Sequence, residues 1–253
     1  MSPSPEARAR LFCFPFAGGS AAVFAGWGEG LKPNVEVWAA QPRGRGSRFR
    51  ESLQRSVREM VEDYMAVLRD LQDLPYAFYG HSLGGLLAFE LARQLHHEGL
   101  ALPQHLFIGA SAPPVLGLLH PQIHHLPDET FVAAVQERYS GIPEAVLSEP
   151  ELMELFLPAL KADFAAHETF DRSRVTRVAC PITAFAGCDD PVIQPAMMEE
   201  WSRHTDAPFR LNAIAGDHFF LNKSRDVVLA TIRFTMQTKA ALRERVFTQQ
   251  TCS

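Results

Sequence analysis

Residues 75–99, PYAFYGHSLGGLLAFELARQLHHEG, constrain the fold of this chain more than any other segment. The first seven residues are aromatic or small, which is typical of a buried strand, and the residues from 83 onward have the apolar pattern of a helix. Ser82 lies at the junction, with Gly80 two residues before it and Gly84 two residues after it. A sharp turn from a strand into a helix brings these two positions too close together for most side chains. The segment therefore predicts a serine held at the end of a sheet strand.

The same alternation of strands and helices continues along the chain. Short apolar runs bounded by glycine or proline predict further strands. These runs are residues 11–14, 35–40, 105–111, 181–187 and 209–216. Ser56 and Glu59 form a capping box, which predicts the start of an amphipathic helix. With 253 residues and 47% hydrophobic content, the chain can bury a large core, and we predict a single α/β domain over residues 1–253.

One interval of roughly seventy residues breaks this alternation, because it contains helix signals and no strand candidate. Residues 128–139 and 151–170 have helical patterns, and Ser148 with Glu151 resembles a second capping box. Long insertions of this kind often cover a binding site. We predict a helical lid insertion over residues 113–178.

The segment from Gly80 to Gly84 has the pattern Gly-x-Ser-x-Gly, in which a serine at a strained strand-to-helix turn acts as a nucleophile. A serine hydroxyl needs a histidine base and an acidic residue that orients this histidine. In the α/β-hydrolase fold the acid and then the histidine follow the serine, each after a later strand. Asp190 in GCDDP and His218 in GDHFF meet this requirement. We therefore predict an α/β-hydrolase fold, with a mostly parallel central sheet and helices on both faces, and Ser82, Asp190 and His218 as catalytic residues.

Two other aspartates are alternatives for the acid. Asp189 precedes Asp190, and we favour Asp190 because it lies three residues after Gly187 and directly before Pro191, where the loop turns back. Asp217 is the weaker alternative, since it is the sequence neighbour of His218 and should face elsewhere.

Acyl transfer by such a serine also needs two hydrogen-bond donors for the oxyanion. One should be the N–H of Leu83, the residue after the nucleophile. The other should come from the glycine-rich segment FPFAGGS, residues 14–20, which follows the first strand. We predict that the N–H of Ala17 is this second donor.

Charge and hydropathy exclude other classes of protein. The net charge of −5 gives no reason to expect nucleic acid as a partner. The sequence contains no run of about 20 apolar residues, so we expect no membrane span. The start, MSPSPEARAR, has no apolar stretch after its arginines and does not resemble a secretory signal. We therefore expect a cytoplasmic protein.

We expect neither a metal nor another cofactor. Three histidines, His120, His124 and His125, have a spacing that could suit a metal, but no cysteine or carboxylate accompanies them in the sequence. The four cysteines lack metal-binding or redox spacing, which favours free thiols. They are Cys13, Cys180, Cys188 and Cys252.

Together, FPFAGGS, GHSLGG, GCDDP and GDHFF resemble the type II thioesterases, stand-alone α/β-hydrolases that accompany polyketide synthases and non-ribosomal peptide synthetases. The resemblance covers residues 9–235 and includes GIPEAVLSEPELMELFLPALKADF, with its Gly-x-Pro and Pro-x-x-(basic)-x-Asp patterns. Two departures are Lys161, where arginine is more usual, and QPRGRGSR at residues 41–48. Both bear on substrate preference and carrier docking.

This resemblance implies hydrolysis of acyl thioesters held on the phosphopantetheine arm of an acyl- or peptidyl-carrier protein, with Ser82, Asp190 and His218 as the triad. Two other functions stay open on the sequence. A carboxylesterase or lipase would use the same triad on oxygen esters, and a non-catalytic α/β-hydrolase would bind a ligand or a synthase.

Two sets of residues have both a functional and a structural interpretation. Four arginines after the second strand could bind the phosphate of the arm or an acidic carrier surface, or could form local salt bridges. They are Arg43, Arg45, Arg48 and Arg50. A second set could line an acyl pocket or belong to a core. It comprises Phe16, Met153, Leu155, Phe156, Leu160 and Phe164.

Overall fold

The computed structural model describes residues 6–71 and 73–250, with side chains except those of residue 174 and residues 239–250. The predicted thiol of Cys252 and the ends of the predicted domain lie outside these residues. A six-stranded sheet has the order β2-β1-β3-β4-β5-β6. Its strands are β1 (Ala9–Phe14), β2 (Val35–Ala39), β3 (Tyr76–His81), β4 (Leu106–Gly109), β5 (Ile182–Gly187) and β6 (Phe209–Ile214). Every neighbouring pair is parallel, which confirms the predicted parallel central sheet.

Helices cover both faces of this sheet. They are α1 (Trp27–Leu31), α2 (Val57–Leu68), α3 (Leu83–His97), α4 (Asp128–Tyr139), α5 (Glu144–Leu147), α6 (Pro150–Glu168), α7 (Pro195–Glu199) and α8 (Leu221–Gln250). One core lies between the sheet and α2 and α3, and a second lies between the sheet and α1 and α8. The two cores follow from the alternation of side chains along each strand. In β1, Phe12 and Phe14 enter the first core, whereas Leu11 and Cys13 enter the second.

The predicted start of α2 is confirmed. The Ser56 hydroxyl oxygen accepts a hydrogen bond from the N–H of Glu59 at 3.2 Å, and the Glu59 carboxylate accepts one from the N–H of Ser56 at 3.2 Å. These two bonds complete the capping box and satisfy donors that the first helical turn leaves free.

The interval between β4 and β5 contains α4, α5 and α6, which form a third apolar cluster. The predicted helix over residues 128–139 matches α4. The predicted capping box of Ser148 and Glu151 is wrong. Ser148 instead follows α5 and donates its hydroxyl to the Glu144 carbonyl at 2.9 Å, a local bond that competes with capping. The next helix starts at Pro150, because proline suits the first helical position.

Within the described part of the chain, no helix is both long enough and apolar enough to cross a lipid bilayer.

Candidate active site

Ser82 occupies the turn between β3 and α3 in a strained backbone conformation. Its φ of 54° and ψ of −118° are unusual for a residue with a side chain. The glycines on either side make the turn possible. A Cβ atom at Gly80 would overlap the carbonyl of Gly84, and one at Gly84 would overlap the carbonyl of Phe14. The N–H of Ser82 donates to the Gly109 carbonyl at 2.8 Å, which fixes the turn against β4.

The structure brings Ser82, His218 and Asp190 together. The Ser82 hydroxyl lies 3.1 Å from Nε2 of His218. On the other side of the ring, Nδ1 donates to Oδ2 of Asp190 at 2.8 Å. The second bond leaves Nε2 unprotonated, so this nitrogen can accept the serine proton.

Asp190 is buried with 4% of its surface exposed, and it accepts several hydrogen bonds. Its Oδ1 accepts from the N–H groups of Val192 at 2.8 Å and Ile193 at 2.9 Å. Burial acts to raise the pKa of Asp190, but the bond from His218 and these two N–H groups outweigh it, so the pKa lies below its ordinary value. The carboxylate is therefore ionised near neutral pH.

The two alternative aspartates lie elsewhere. Asp189 is exposed, and its N–H donates to the Gly216 carbonyl at 2.9 Å. Asp217 is also exposed, and its carboxylate accepts from the N–H of Phe219 at 2.8 Å. Only Asp190 of the three contacts the imidazole of His218.

A further histidine, which the sequence analysis did not single out, holds the backbone of His218. Nε2 of His81 donates to the His218 carbonyl at 2.7 Å, and the Tyr79 hydroxyl donates to Nδ1 of His81 at 3.2 Å. Burial and the nearby His218 lower the pKa of His81 to about 3. A neutral ring has the one donor and one acceptor that these bonds need. The position of His81 inside Gly-His-Ser was the available signal.

The two predicted oxyanion donors lie beside Ser82. Ala17 and Leu83 line the same cleft as the serine. Leu83 is the first residue of α3, where a backbone N–H has no partner in its own helix. Neither N–H donates a hydrogen bond to another described residue.

The segment that carries Ala17 is held from α6. The N–H of Gly18 donates to Oδ2 of Asp163 at 2.7 Å, and Nη2 of Arg45 donates to Oδ1 at 2.9 Å. Asp163 has 2% of its surface exposed, so this carboxylate is buried with its charge paired. It joins three segments that are distant in sequence.

Two clefts meet at Ser82. The first, here called the apolar cleft, lies on the side of Ala17 and Leu83 and is lined by Phe16, Val135, Leu160, Phe164 and Phe219. Three residues of the predicted acyl-pocket set, Phe16, Leu160 and Phe164, line it. Of the others, Met153 and Phe156 pack against the cluster of α4 to α6, and Leu155 is 57% exposed.

The second cleft, here called the polar cleft, is lined by Ser111, His120, Arg138, Glu168 and Arg172. Arg138 donates to the Pro121 carbonyl, and Arg172 donates to those of Phe170 and His167. In the described part of the chain neither arginine forms an ion pair with a carboxylate. Tyr139 and His167 line both clefts.

The arginine-rich segment after β2 is mostly paired with carboxylates. Arg43 and Arg48 both donate to Asp63, Arg48 also donates to Glu51, and Arg45 donates to Asp163. The salt-bridge interpretation of these three residues is therefore confirmed. Lys161 likewise has a structural role, because its ammonium donates to the Leu126 carbonyl and to Asp128, both at 2.7 Å.

The expectation that the histidine group lacks a carboxylate is wrong. Nδ1 of His124 lies 2.6 Å from Oε2 of Glu168, and the same carboxylate accepts from the N–H of Ile123 at 3.0 Å. Glu168 lies 44 residues along the chain, so only the fold brings the two together. Across the described ranges, no group of three metal-ligating side chains occurs.

Comparisons with known proteins agree with this architecture. A family model described as "Thioesterase domain" matches residues 9–235. Thioesterase PikA5 of Streptomyces venezuelae is 40% identical over 223 residues, covering 87% of this chain and 78% of that protein. ClbQ from the colibactin pathway has a TM-score of 0.86 at 30% identity, covering 93% of this chain and 99% of that one. The RedJ thioesterase from the prodiginine pathway of Streptomyces coelicolor has a TM-score of 0.83 at 34% identity, covering 92% and 90%.

The match over nearly the whole chain shows that this protein belongs to the thioesterase domain family. The resemblance to type II thioesterases is thereby confirmed, and the protein is an enzyme of the thioesterase class with an α/β-hydrolase-like fold.

Proposed function

We propose that the protein hydrolyses acyl thioesters on the phosphopantetheine arm of a carrier protein, with Ser82 as nucleophile. The observation that carries this proposal is the 3.1 Å separation of Ser82 Oγ and His218 Nε2 at the meeting point of the two clefts. Similar proteins support the substrate class, since RedJ is a thioesterase of prodiginine biosynthesis and ClbQ belongs to a pathway of peptide and polyketide synthesis.

In the first step Ser82 Oγ attacks the thioester carbon while His218 Nε2 takes the hydroxyl proton. The negative charge on the carbonyl oxygen is stabilised by the N–H groups of Ala17 and Leu83. The carbon–sulfur bond then breaks, and the leaving sulfur receives the proton from His218. An acyl-enzyme on Ser82 and a free pantetheine thiol result.

In the second step His218 removes a proton from water as the water oxygen attacks the acyl-enzyme. The tetrahedral intermediate uses the same two N–H donors, and His218 returns its proton to Ser82 Oγ as the acid leaves. Throughout both steps, Asp190 keeps Nδ1 of His218 protonated and stabilises the imidazolium that forms.

The two clefts suggest how the substrate lies. The apolar cleft suits an acyl chain, because phenylalanine and aliphatic side chains line it. The polar cleft suits the amide-containing arm. Arg138 and Arg172 form no ion pair with a carboxylate of the described residues, so their guanidinium groups can bind its phosphate. Arg43, Arg45 and Arg48 are less suitable, since carboxylates already neutralise them.

We also propose that residues 113–178 act as a lid within a single domain over residues 1–253. The helices α4 and α6 supply Val135, Leu160 and Phe164 to the apolar cleft. Cytoplasmic location is part of the same proposal. It is supported by the thiols of Cys13 and Cys188, which form no disulfide in the described part of the chain and are typical of a reducing compartment.

The test compares turnover of three substrates by the purified full chain: an acyl group on a holo carrier protein, the same acyl group on coenzyme A, and its nitrophenyl ester. We expect the carrier thioester to have the highest kcat/KM. Turnover of the ester with the carrier thioester untouched would identify a carboxylesterase instead.

Labelling by a fluorophosphonate tests the nucleophile separately. We expect labelling of the wild-type chain and none of Ser82→Ala. A wild-type chain that resists the label would favour a binding protein over an enzyme that uses Ser82.

A further inference from the structure

His167 lies on α6, one turn after Asp163, and lines both clefts together with Ser82 and His218. It is therefore beside the point where a bound thioester would react. The pattern of apolar residues in α6 gave no reason to single it out. Its surroundings in the apolar cleft include Leu160 and Phe164 from the same helix.

The imidazole of His167 makes no hydrogen bond or ion pair with another residue that the structure describes. The ring nitrogens of His167 are not fully buried, although they have no hydrogen-bond partner among the described residues. Other inward-facing histidines are different: His105 bonds to Thr183 at 2.7 Å, and His204 accepts from the N–H of Val115 at 3.3 Å. A polar ring in an apolar cleft is costly unless something satisfies it. The open side of His167 is the cleft itself.

The protonation state of His167 limits what it can bind. Burial, the guanidinium of Arg172 and the imidazole of His218 together lower the pKa of His167 to about 4. The ring is therefore neutral near pH 7 and offers one N–H donor and one nitrogen acceptor. A hydroxyl group, which both donates and accepts, matches this pair, and an oxo oxygen matches the N–H donor.

We propose that His167 determines acyl specificity by hydrogen-bonding a hydroxyl or oxo oxygen on the first few carbons of the acyl group. This inference rests on the proposed thioesterase function. The surroundings of His167 indicate this position. His167 lines both clefts together with Ser82, and its imidazole interacts electrostatically with that of His218, so we place the substituent on the part of the acyl group next to the thioester. The substrates implied are hydroxyacyl or oxoacyl thioesters rather than saturated ones.

The test uses N-acetylcysteamine thioesters of hexanoic acid and 3-hydroxyhexanoic acid, which differ only in one hydroxyl. The quantity measured is the ratio of kcat/KM for the hydroxylated thioester to that for the saturated one. We expect this ratio to exceed one in the wild-type chain and to fall about tenfold in His167→Phe, the effect of losing one neutral hydrogen bond. His167→Gln, which keeps a donor and an acceptor, should retain part of the preference.

The control variant is His97→Phe, because His97 is exposed near the end of α3 and lies outside both clefts. It should keep the wild-type ratio. An unchanged ratio in His167→Phe, or an equal loss for both thioesters, would overturn the inference and leave His167 a packing residue. If His167→Phe does not fold by circular dichroism, the same ratio in His167→Ala decides.

The saturated thioester separates this inference from the function on which it rests. Its hydrolysis needs Ser82 and no contact with His167. Wild-type turnover of hexanoyl thioester with an unchanged ratio in the variants rejects only the role of His167. No Ser82-dependent turnover of either thioester, and none of the carrier-bound acyl group, rejects the proposed function as well.

Discussion

Oδ2 of Asp163 accepts a hydrogen bond from the N–H of Gly18 at 2.7 Å, so a carboxylate in α6 holds the residue next to Ala17. Oδ1 of the same carboxylate accepts from Arg45 at 2.9 Å. The backbone of Gly18 has a φ of +77° and lies against the ring of Phe156. The shape of the segment with the proposed oxyanion donor thus depends on a helix far along the chain.

Asp163→Asn should lower both stability and turnover. The substitution leaves the Arg45 guanidinium buried without its counter-charge, which costs about 3 kcal/mol of unfolding free energy. Turnover should fall through kcat more than through KM, because the N–H of Ala17 stabilises charge that develops in the transition state. Urea unfolding and steady-state kinetics measure the two effects. The double variant Asp163→Asn/Arg45→Gln removes both charges and should recover part of the stability, and strictly additive losses would show that the two residues are not coupled.

Asp190→Asn should reduce kcat by a factor on the order of 10³–10⁴, because an amide no longer fixes the protonated Nδ1 of His218. Asp189→Asn is the matched control, since this neighbour is exposed and does not contact His218. It should leave kcat within about twofold of wild type, which is the usual range for a surface substitution. Kinetics on one thioester substrate compare the two variants. A larger loss in Asp189→Asn would reassign the acid.

Gly80→Ala should prevent folding or lower the unfolding free energy by more than about 4 kcal/mol. The added methyl group would overlap the Gly84 carbonyl, and backbone atoms in a turn cannot move aside as a flexible side chain can. Gly28→Ala is a control for which we expect the unfolding free energy to change in the opposite direction. Gly28 lies in α1 with no atom within 4 Å of the added Cβ, so alanine should stabilise the protein by roughly 0.5–1 kcal/mol. Soluble yield and urea unfolding of both variants test the pair.

Stability should fall as the pH decreases below about 6.5, the ordinary pKa of histidine. The pKa of buried His81 is about 3 in the folded protein, so between these values the unfolded chain binds a proton that the folded chain does not. One such histidine lowers the unfolding free energy by up to about 1.4 kcal/mol per pH unit in this window, and contributes nothing above it. Urea unfolding from pH 7 to pH 5 measures the slope. His81→Asn should have a shallower slope than wild type, and equal slopes would assign the acid sensitivity to other groups.

The sheet was predictable because its strands are short and bounded by turn residues, and most of them are buried. The predicted strand over residues 181–187 differs from β5 by one residue at its start. The catalytic residues were also predictable, because the chemistry requires certain residue types in a fixed chain order, each after a strand. They are Ser82, Asp190 and His218. The three side chains meet in the structure because each follows a strand that ends at the same edge of the parallel sheet.

The unpredicted features depend on contacts between distant segments. Asp163 meets Gly18 across 145 residues, and Glu168 meets His124 across 44, so no local pattern indicates either pair. The capping box assigned to Ser148 failed for a local reason. The motif matched, but Pro150 set the helix start and the serine hydroxyl bonded backward within α5. The position of His167 in the clefts was not predicted, because helical spacing alone does not distinguish a residue of a cleft from a residue of the core.

The contrast in polarity on the two sides of Ser82 has a consequence for direction. A thioester entering backward would put its amides against phenylalanine rings and would move its phosphate away from Arg138 and Arg172. Such an arrangement loses the hydrogen bonds and the charge pairing that the polar cleft offers to the arm. Under the proposed function, the two clefts therefore favour one binding orientation of the substrate before any bond is made or broken.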